Sequence, residues 1–178
     1  SDYLKESSVT KTFGYNINYG NLTNYNEDYD DGSYNSTAYS NFSSAGTWLP
    51  ARPQTVTNTK KHYQDAQSFT QTNTFTYYPV TGLVNTKTVG SLTSTYAYDS
   101  YGNLTSELIS DGATSRTNHY TYDPKSMFVE KSYNALDHVT KRIYDYVTGN
   151  VLTETLPDSA NVVNYIYNDF GVLTNKSV

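Results

Sequence analysis

Residues 96–105 read Tyr96-Ala97-Tyr98-Asp99-Ser100-Tyr101-Gly102-Asn103-Leu104-Thr105. Tyr96 and Tyr98 are two residues apart, so their side chains lie on the same face of an extended strand. The side chain of Asp99 can accept a hydrogen bond from the backbone two residues further on, which starts a turn. Gly102 supplies the positive φ that a tight turn requires. The stretch therefore predicts the tip of a β-hairpin.

The same phrase recurs at a regular spacing along the C-terminal part of the chain. The residues at its Asp position stand at 78, 99, 123, 145 and 168, so successive copies are 21, 24, 22 and 23 residues apart. An earlier and weaker copy covers residues 13–23. Together the copies predict ten hairpin-turn residues: Asn16, Gly20, Gly82, Asp99, Gly102, Asp123, Asp145, Gly149, Asn168 and Gly171.

Each period holds two turns, because a second and looser turn lies between successive phrases, as at residues 110–112. Two turns leave about seven residues for each strand, which is an ordinary strand length. We therefore expect an all-β fold, an extended and curled antiparallel meander of repeated β-hairpins with about 12 to 14 strands. Met127 stands where the phrase has glycine, and Asp137 stands where a second-turn glycine is expected. Asp adopts positive φ more readily than Met does.

The regularity of the repeats differs between two parts of the chain. Residues 75–178 hold four to five regular repeats, whereas residues 1–74 hold degenerate ones. Residues 41–53 predict an irregular loop, because their two prolines argue against a central strand, and we expect Trp48 to anchor this loop against the sheet. The chain begins with Ser rather than Met. We read it as one continuous β-sheet domain excised from a longer protein.

Composition excludes several functional classes. The chain has no Cys, which excludes a disulfide framework, a thiolate metal site and a cysteine nucleophile. A net charge of −5 with 12 Lys+Arg argues against nucleic acid as a partner. No apolar run is long enough for a transmembrane helix. The 20 Tyr oppose disorder, and we expect them to form much of the core.

The Tyr-Asp phrases, their spacing and the stretch Trp48-Leu49-Pro50-Ala51-Arg52-Pro53 resemble the Rhs/YD-repeat proteins. That family includes bacterial Rhs polymorphic toxins, the B and C components of insecticidal toxin complexes, and the teneurins. The resemblance implies a β-strip that spirals into a hollow shell, which encloses a C-terminal toxin cargo or is closed by a plug. It also implies a secreted or cell-surface bacterial protein. The family's self-cleaving motif is not carried over, because the only Asp-Pro, Asp123-Pro124, lies in a repeat turn.

Side chains that could carry chemistry are few and scattered. The three histidines, His62, His119 and His138, have no ligand partner at metal spacing, so we expect them to be structural or at the surface. A glycosidase needs two converging carboxylates, and most Asp residues are already explained by turns. We therefore expect neither catalysis nor a cofactor.

The densest group of acidic residues consists of Glu27, Asp28, Asp30 and Asp31. Hard cations prefer several oxygen ligands, which makes this group a candidate Ca²⁺ site. Its spacing does not fit an EF-hand loop, because no Glu stands at the closing position. The alternative interpretation is a solvated hairpin tip, which the Asp-Gly pair at residues 31–32 predicts.

The abundance of tyrosine also suggests ligand binding, since exposed aromatic rings can stack on sugars. The candidates for a ligand or partner surface are Tyr101, Tyr146 and Trp48. The competing interpretation is that the tyrosines before each turn pack together on one face of the sheet. They are Tyr77, Tyr98, Tyr122, Tyr144 and Tyr167.

The sequence thus favours a non-enzymatic structural segment of a YD-repeat shell, which encapsulates or presents other segments. The expected partners are other segments of the same parent chain, a C-terminal cargo domain and a glycan. Exposed sheet edges also predict weak homo-oligomers. The first alternative is a carbohydrate- or partner-binding β-module, and the second is a glycan-cleaving enzyme.

Overall fold

The computed structural model describes residues 8–45, 49–158 and 161–178. Within these ranges there is no helix, and so none that is long and apolar enough to cross a membrane. The strands are β1 (Val9–Tyr15), β2 (Leu22–Tyr29), β3 (Tyr34–Ala45), β4 (Leu49–Lys61), β5 (Phe69–Tyr77), β6 (Val84–Val89), β7 (Leu92–Tyr98), β8 (Leu104–Ser110), β9 (Ser115–Tyr122), β10 (Val129–Tyr133), β11 (Val139–Tyr144), β12 (Val151–Thr155), β13 (Val162–Tyr167) and β14 (Leu173–Ser177).

The described strands form one 14-stranded sheet, and their order in the sheet is their order in the chain. Each strand from β2 to β13 therefore pairs with the strands that precede and follow it in sequence. This topology confirms the all-β antiparallel meander, and the strand count falls within the predicted range. The curl stays a prediction. The chain divides into two compact units, Ser1–Ser94 and Thr95–Val178, while the division after residue 74 stays a prediction.

The prediction of an irregular loop over residues 41–53 is wrong, because most of this segment forms strands. β3 extends to Ala45 and β4 begins at Leu49. The two strands pair with each other across this region. Trp48, the proposed anchor of the loop, lies outside the described residues.

The prolines of this segment are tolerated because they lie in the part of β4 that pairs with a strand on one side only. In the described structure β4 pairs with β5 only over Thr55–Lys60, although its pairing with β3 extends further. Pro50 and Pro53 precede that range, so this part of β4 is locally an edge, where proline is found in sheets. A φ of 52° at Asn41 and a register shift after Ser43 mark the remaining irregularity.

The two faces of the sheet in the first unit differ in chemistry, as the alternation of side chains along a strand allows. Phe13 and Tyr25 lie on one face, with their ring centroids 5.0 Å apart. The opposite face carries threonine hydroxyls that pair across neighbouring strands. The Oγ1–Oγ1 distances are 3.2 Å for Thr57–Thr72, 3.2 Å for Thr59–Thr70, 2.7 Å for Thr76–Thr86 and 3.0 Å for Thr88–Thr93.

The second unit has an aromatic face of its own, which also carries an ion pair. Arg142 pairs in register with Glu154 on the neighbouring strand. Its Nε and Nη2 atoms each lie 2.9 Å from Glu154 Oε1. The Tyr165 hydroxyl donates to Glu154 Oε2 at 3.1 Å. This cross-strand contact links three successive strands, β11, β12 and β13.

Almost nothing is buried in this single-layer sheet. Among the described side chains, Val163 is the one buried apolar residue, at 4% exposure. The expected tyrosine core is therefore corrected: the pre-turn rings of Tyr122, Tyr144 and Tyr167 are half-buried. A sheet normally buries one face against a second layer, and the described residues supply no such layer.

Candidate functional site: the hairpin tips

The hairpin tips formed by the Tyr-Asp phrases are closed by a backbone hydrogen bond of one of two lengths. The shorter bond joins residues that are three apart. A backbone N–H donates to the carbonyl three residues earlier, from Gly102 to Asp99 at 3.1 Å, from Ser126 to Asp123 at 2.8 Å and from Gly171 to Asn168 at 2.9 Å. The donor residues have φ values of 89°, 56° and 73°. Two of the three are glycine, which adopts this left-handed conformation at least cost.

The longer backbone hydrogen bond joins residues that are four apart. Gly20 donates to Asn16, Gly82 to Tyr78 and Gly149 to Asp145, each at 2.8 Å. The donor glycines have φ values of 68°, 66° and 76°. The predicted turn glycines thus lie at hairpin tips, in one turn type or the other.

The turn that follows Asp123 corrects the expectation for Met127. Ser126, with its positive φ, occupies the position that Gly102 occupies in the preceding tip. The backbone N–H of Met127 instead donates to Asp123 Oδ1 at 2.8 Å. The sequence pattern assigned the glycine position to Met127 because the phrase allows glycine either three or four residues after its Asp position. Asp137 has a φ of 57°, as expected for a stand-in for glycine.

Where the Asp position holds Asp or Asn, its side chain accepts hydrogen bonds from the backbone of the turn. Asp99 Oδ1 accepts hydrogen bonds from the backbone N–H groups of Tyr101 and Asn103, both at 2.9 Å. The Asn103 amide donates to Asp99 Oδ2 at 3.1 Å and also to the carbonyl of Ser126 in the next tip, at 2.9 Å. Burial acts to raise the pKa of Asp99, but the hydrogen bonds from Asn103 and Tyr101 outweigh it and lower that pKa. Asn103 therefore connects two successive tips.

Asp145, Asn168 and Asn16 make similar bonds at their own tips. Asp145 Oδ1 accepts from the Val147 N–H at 2.8 Å and Asp145 Oδ2 from the Thr148 hydroxyl at 2.9 Å. Asn168 Oδ1 accepts from the N–H groups of Phe170 and Val172 at 3.0 and 2.9 Å. Asn16 Oδ1 accepts from the Asn18 N–H at 2.8 Å.

Asp123 is the most enclosed of these carboxylates, at 8% exposure. Its Oδ1 accepts from the N–H groups of Met127 and Phe128 at 2.8 and 2.7 Å. Its Oδ2 accepts from the Lys125 N–H at 3.0 Å and from the Tyr146 hydroxyl at 2.8 Å. Burial acts to raise the pKa of Asp123, but these donors outweigh it and lower that pKa to about 2. Both carboxylate oxygens of Asp123 thus accept hydrogen bonds, three from its own turn and one from Tyr146 in the next tip.

Aromatic contacts extend the link between these two tips. The Phe128 ring stacks on Tyr144, with centroids 4.7 Å apart and an interplanar angle of 14°. It also lies 5.8 Å from the Tyr146 ring. The Lys125 ammonium lies 4.1 Å from the centroid of the Tyr146 ring, within the range of a cation–π contact. Tyr146, a candidate for a ligand surface, is 43% exposed, and its hydroxyl and ring also contact the preceding tip.

A repeated hydroxyl bond ties each hairpin to the one before it. The pre-turn tyrosine hydroxyl donates to the carbonyl of a residue on the preceding strand. The pairs are Tyr77 to Pro53 at 2.7 Å, Tyr122 to Leu104 at 3.0 Å, Tyr144 to Val129 at 3.1 Å and Tyr167 to Val151 at 3.0 Å. The acceptor begins the return strand of the preceding hairpin in the last three pairs. These tyrosines lie on alternate strands, so the rings are not direct cross-strand neighbours.

The acidic candidates for Ca²⁺ do not converge. Glu27 Oε1 lies 3.0 Å from Lys11 Nζ and accepts from the Tyr25 hydroxyl. Hydrogen bonds from Tyr25 and then Lys11 lower the pKa of Glu27 to about 2. Asp31 Oδ1 instead accepts from Ser33, through both its N–H and its hydroxyl. Asp28 and Asp30 are exposed, and no group of three potential ligands is arranged for a metal ion in the described part of the chain.

The remaining candidates for a ligand surface are placed at exposed positions or beyond the described ranges. Tyr101 sits at a hairpin tip and is 78% exposed. Trp48 lies outside the described residues. His62, His119 and His138 are exposed. A cleft of about 250 Å³ opens beside Asp123, Glu130 and Arg142, but Asp123 and Arg142 are already bound as described above.

Several residues of these networks were missed by sequence reasoning. Ser126, Asn103 and the hydroxyl of Tyr146 connect neighbouring tips across 23 residues of sequence. A periodic phrase identifies equivalent positions, but it does not say which side chains of successive copies touch. The spacing of one period is the signal that could have pointed to these contacts.

Comparison with known proteins supports the fold. No protein-family model matches the chain, and no curated protein matches it. Solved structures do match. The crystal structure of TcdB2-TccC3 gives a TM-score of 0.64 at 14% identity over 96% of this chain. The TcdB2-TccC3-Cdc42 crystal structure gives 0.62 at 16% identity over 94%.

A third match is the Tc holotoxin pore of Photorhabdus luminescens, determined with a mutation in TccC3. Its TM-score is 0.61 at 14% identity over 96% of this chain. In all three cases this chain covers 10% of the matched chain. At such identities a likeness establishes the fold alone. This chain therefore folds as a segment of the matched Tc toxin chains does, in agreement with the resemblance carried by its Tyr-Asp repeats.

Proposed function

We propose that this chain is a non-enzymatic wall segment of a YD-repeat shell in a secreted or cell-surface bacterial protein. The observation that carries the proposal is the single-layer sheet, in which Val163 is the one buried apolar side chain among those described. A free-standing domain normally buries one sheet face under a second layer. A wall segment instead gains its stability from neighbours along the strip.

The contacts between hairpins support this role. Tyr122, Tyr144 and Tyr167 each bind back to the hairpin before them. In repeat proteins, stability is the sum of the repeats and their nearest-neighbour interfaces. These hydroxyl bonds are such interface terms, so they suit a strip that grows by repetition.

The use of the carboxylates supports the absence of catalysis. Asp99, Asp123 and Asp145 hold their own turns, and Glu154 is paired with Arg142. A hydrolase of the glycosidase type needs two carboxylates that face a substrate. The acids that are already engaged in turns serve the structure of the strip.

The proposed partners are other segments of the parent protein and an enclosed C-terminal cargo. The chain covers 10% of the Tc toxin chains that it matches. A closed shell of comparable size therefore needs further strips of this kind, which pair at the edges of β1 and β14. Encapsulation or presentation of other segments is the role that such a wall would perform.

A carbohydrate- or partner-binding module is the second candidate function. The observation that favours it is the exposure of Tyr101, 78%, at the end of a hairpin. A glycan array with the full chain separates the two functions, since a wall segment should bind no glycan tightly. Loss of glycan binding in Tyr101→Ala would support the module.

The decisive experiment is a structure of the protein as its gene encodes it. We expect strands of preceding and following segments to pair with β1 and β14, so that the strip is continuous with a wall. A module that stands apart from the remaining protein, with both edges facing solvent, would overturn the proposal. Release of reducing sugar from a glycan by the purified chain would overturn its non-enzymatic part.

A further inference from the structure

A row of directly paired residues crosses five strands of the second unit. In register, Thr121 pairs with Lys131, Lys131 with Lys141, Lys141 with Thr155, and Thr155 with Val162. Directly paired residues of neighbouring strands lie on the same side of a sheet, with Cβ atoms about 5 Å apart. Both lysines therefore leave the same face, which we call the lysine face, and both ammonium groups can reach one anion.

Neither Lys131 nor Lys141 has a partner that offsets its charge. The ion pairs of the described residues are Lys11–Glu27 and Arg142–Glu154. Like charges that stand directly opposite each other on paired strands destabilise a sheet. The row therefore places two unpaired cations side by side at a cost in folding stability, which an anion on the lysine face would remove.

The acidic residues of the strands lie on the opposite face. The described strands of the second unit contain three of them, Glu107, Glu130 and Glu154. Glu154 is paired with Arg142, and Glu130 lines the cleft beside that arginine. Arg142 follows Lys141 directly, so the two side chains leave opposite faces. Glu107 pairs with Asn118, which stands three residues before Thr121 on one strand and therefore also faces away from the lysines.

The aspartates of the neighbouring turns lie beyond the ends of these strands. At one end of β11, Asp145 accepts hydrogen bonds within its own tip. At the other end, Asp137 stands in the β10–β11 turn with a φ of 57°, and Asp158 accepts hydrogen bonds from Asn161 at 3.3 and 2.6 Å. The lysine face thus keeps a local positive charge, although the net charge of the chain is −5.

Apolar side chains extend the lysine face along β11. Val139, Lys141 and Ile143 are two residues apart, so they share this face at intervals of about 7 Å. Ile143 is 61% exposed. A small anion bound at the lysines would leave this isoleucine in water. An extended peptide has the same two-residue period, so it can place an apolar side chain over Ile143 while a carboxylate lies over Lys141.

We propose that the lysine face docks an extended acidic segment of a partner polypeptide. One carboxylate of the segment lies between the ammonium groups of Lys131 and Lys141. Branched apolar side chains two residues before and two residues after that carboxylate contact Val139 and Ile143. This docking surface is separate from the proposed wall contacts, which use the edges of β1 and β14, so either proposal can fail without the other.

The test is an NMR titration of the full chain, residues 1–178, with a capped heptapeptide in which Ile, Glu and Ile alternate with Thr. We expect the peptide to shift the amide resonances of Lys131, Lys141 and Ile143, and to bind more weakly as NaCl is added, because salt screens exposed charges. The matched peptide with Gln in place of Glu should bind about fivefold more weakly or less tightly still.

Two results of this titration would overturn the proposal. Equal shifts with sodium acetate at the same concentration would assign the lysine face to small anions rather than to a polypeptide. Shifts confined to β14 would mean that the peptide adds to the sheet edge instead of docking on the face.

Matched variants separate a docking surface from general charge. Lys131→Gln/Lys141→Gln should reduce binding of the Glu peptide to the level of the Gln peptide without lowering the urea midpoint, since it removes a pair of like charges. Lys131→Arg/Lys141→Arg should retain binding. The control is Lys60→Gln/Lys61→Gln, which removes the same charge from consecutive residues whose side chains leave opposite faces of β4. Equal weakening by this control, or equal binding of the two peptides, would contradict the proposal.

Discussion

A phenol hydroxyl at the end of alternate strands ties successive hairpins of this sheet together. Tyr122 and its equivalents bind a carbonyl that lies two residues beyond the last paired position of the preceding strand. The sequence predicted their shared face, because a pre-turn position fixes the side on which a side chain lies. The hydroxyl partner could not be predicted, since it depends on the register between hairpins.

Removal of this hydroxyl should therefore destabilise the chain. Tyr122→Phe, Tyr144→Phe and Tyr167→Phe should each lower the free energy of unfolding by about 0.5–1.5 kcal/mol, the net value of an ordinary hydrogen bond. Urea titration measures the change. Tyr101→Phe is the control, because Tyr101 is 78% exposed and its loss should have no effect. A neutral result in all three pre-turn variants would show that the tethers do not align the strip.

Positive φ at the turns gives opposite expectations for two equivalent residues. Gly102→Ala should cost about 1 kcal/mol, because φ is 89° there and alanine avoids that region. Ser126→Gly should be neutral or stabilising by up to about 1 kcal/mol, because Ser126 has a φ of 56° at the matching position. Chemical denaturation of both variants provides the comparison. Equal losses would contradict the shared turn geometry.

The lowered pKa of Asp123 predicts part of the loss of folding stability at acidic pH. Its pKa falls from 3.8 to about 2 on folding. A depressed folded pKa stabilises the native state above 3.8, and this contribution is lost as the pH falls towards 2. Asp123→Asn should thus lower stability at neutral pH and flatten its decline over that acidic range. Denaturation midpoints at several pH values test this, with Asp169→Asn, an exposed change at a tip, as the control.

At the scale of the element, the sequence predicted the hairpin tips well and the segment over residues 41–53 poorly. Tips depend on local turn chemistry, which a few residues specify. The error at residues 41–53 came from Pro50 and Pro53, which exclude a central strand but not the locally unpaired end of one. Whether a strand end has a neighbour depends on the lengths of adjacent strands, and those are set by the whole sheet.

The repeat should be removable as a unit if its period defines the fold. Deletion of the 22 residues 123–144 joins Tyr122 to Asp145 and recreates the phrase with its tyrosine face intact. We expect this variant to stay folded, with a strand-type circular dichroism spectrum and a cooperative urea transition. Deletion of residues 123–145 also removes Asp145, whose carboxylate holds the tip that follows. That variant should be less stable, and equal stability of the two would contradict the role of the Asp position in the repeat.

At the scale of the whole molecule, the repeat period predicted the meander but not its lack of a core. Composition indicated enough aromatic residues to fold, and the 20 Tyr were expected to be buried. Among the described residues, the pre-turn rings of Tyr122, Tyr144 and Tyr167 are half-buried on a single-layer sheet, and five other tyrosines are exposed. Burial depends on whether a second layer exists, and the hydrophobic pattern of one strip does not reveal what covers it.

The edges of the sheet predict self-association. β14 pairs with β13 alone in the described structure, and all five of its residues are exposed. An edge presents unpaired N–H and C=O groups to other chains, and its single Lys176 is weak protection. We expect concentration-dependent, reversible association, measured by sedimentation velocity from micromolar to millimolar protein. Asn175→Lys/Ser177→Lys should weaken it, because added lysines guard an edge, while Thr121→Lys on a central strand should not. A monomer throughout this range would mean that the β14 edge does not recruit a second chain.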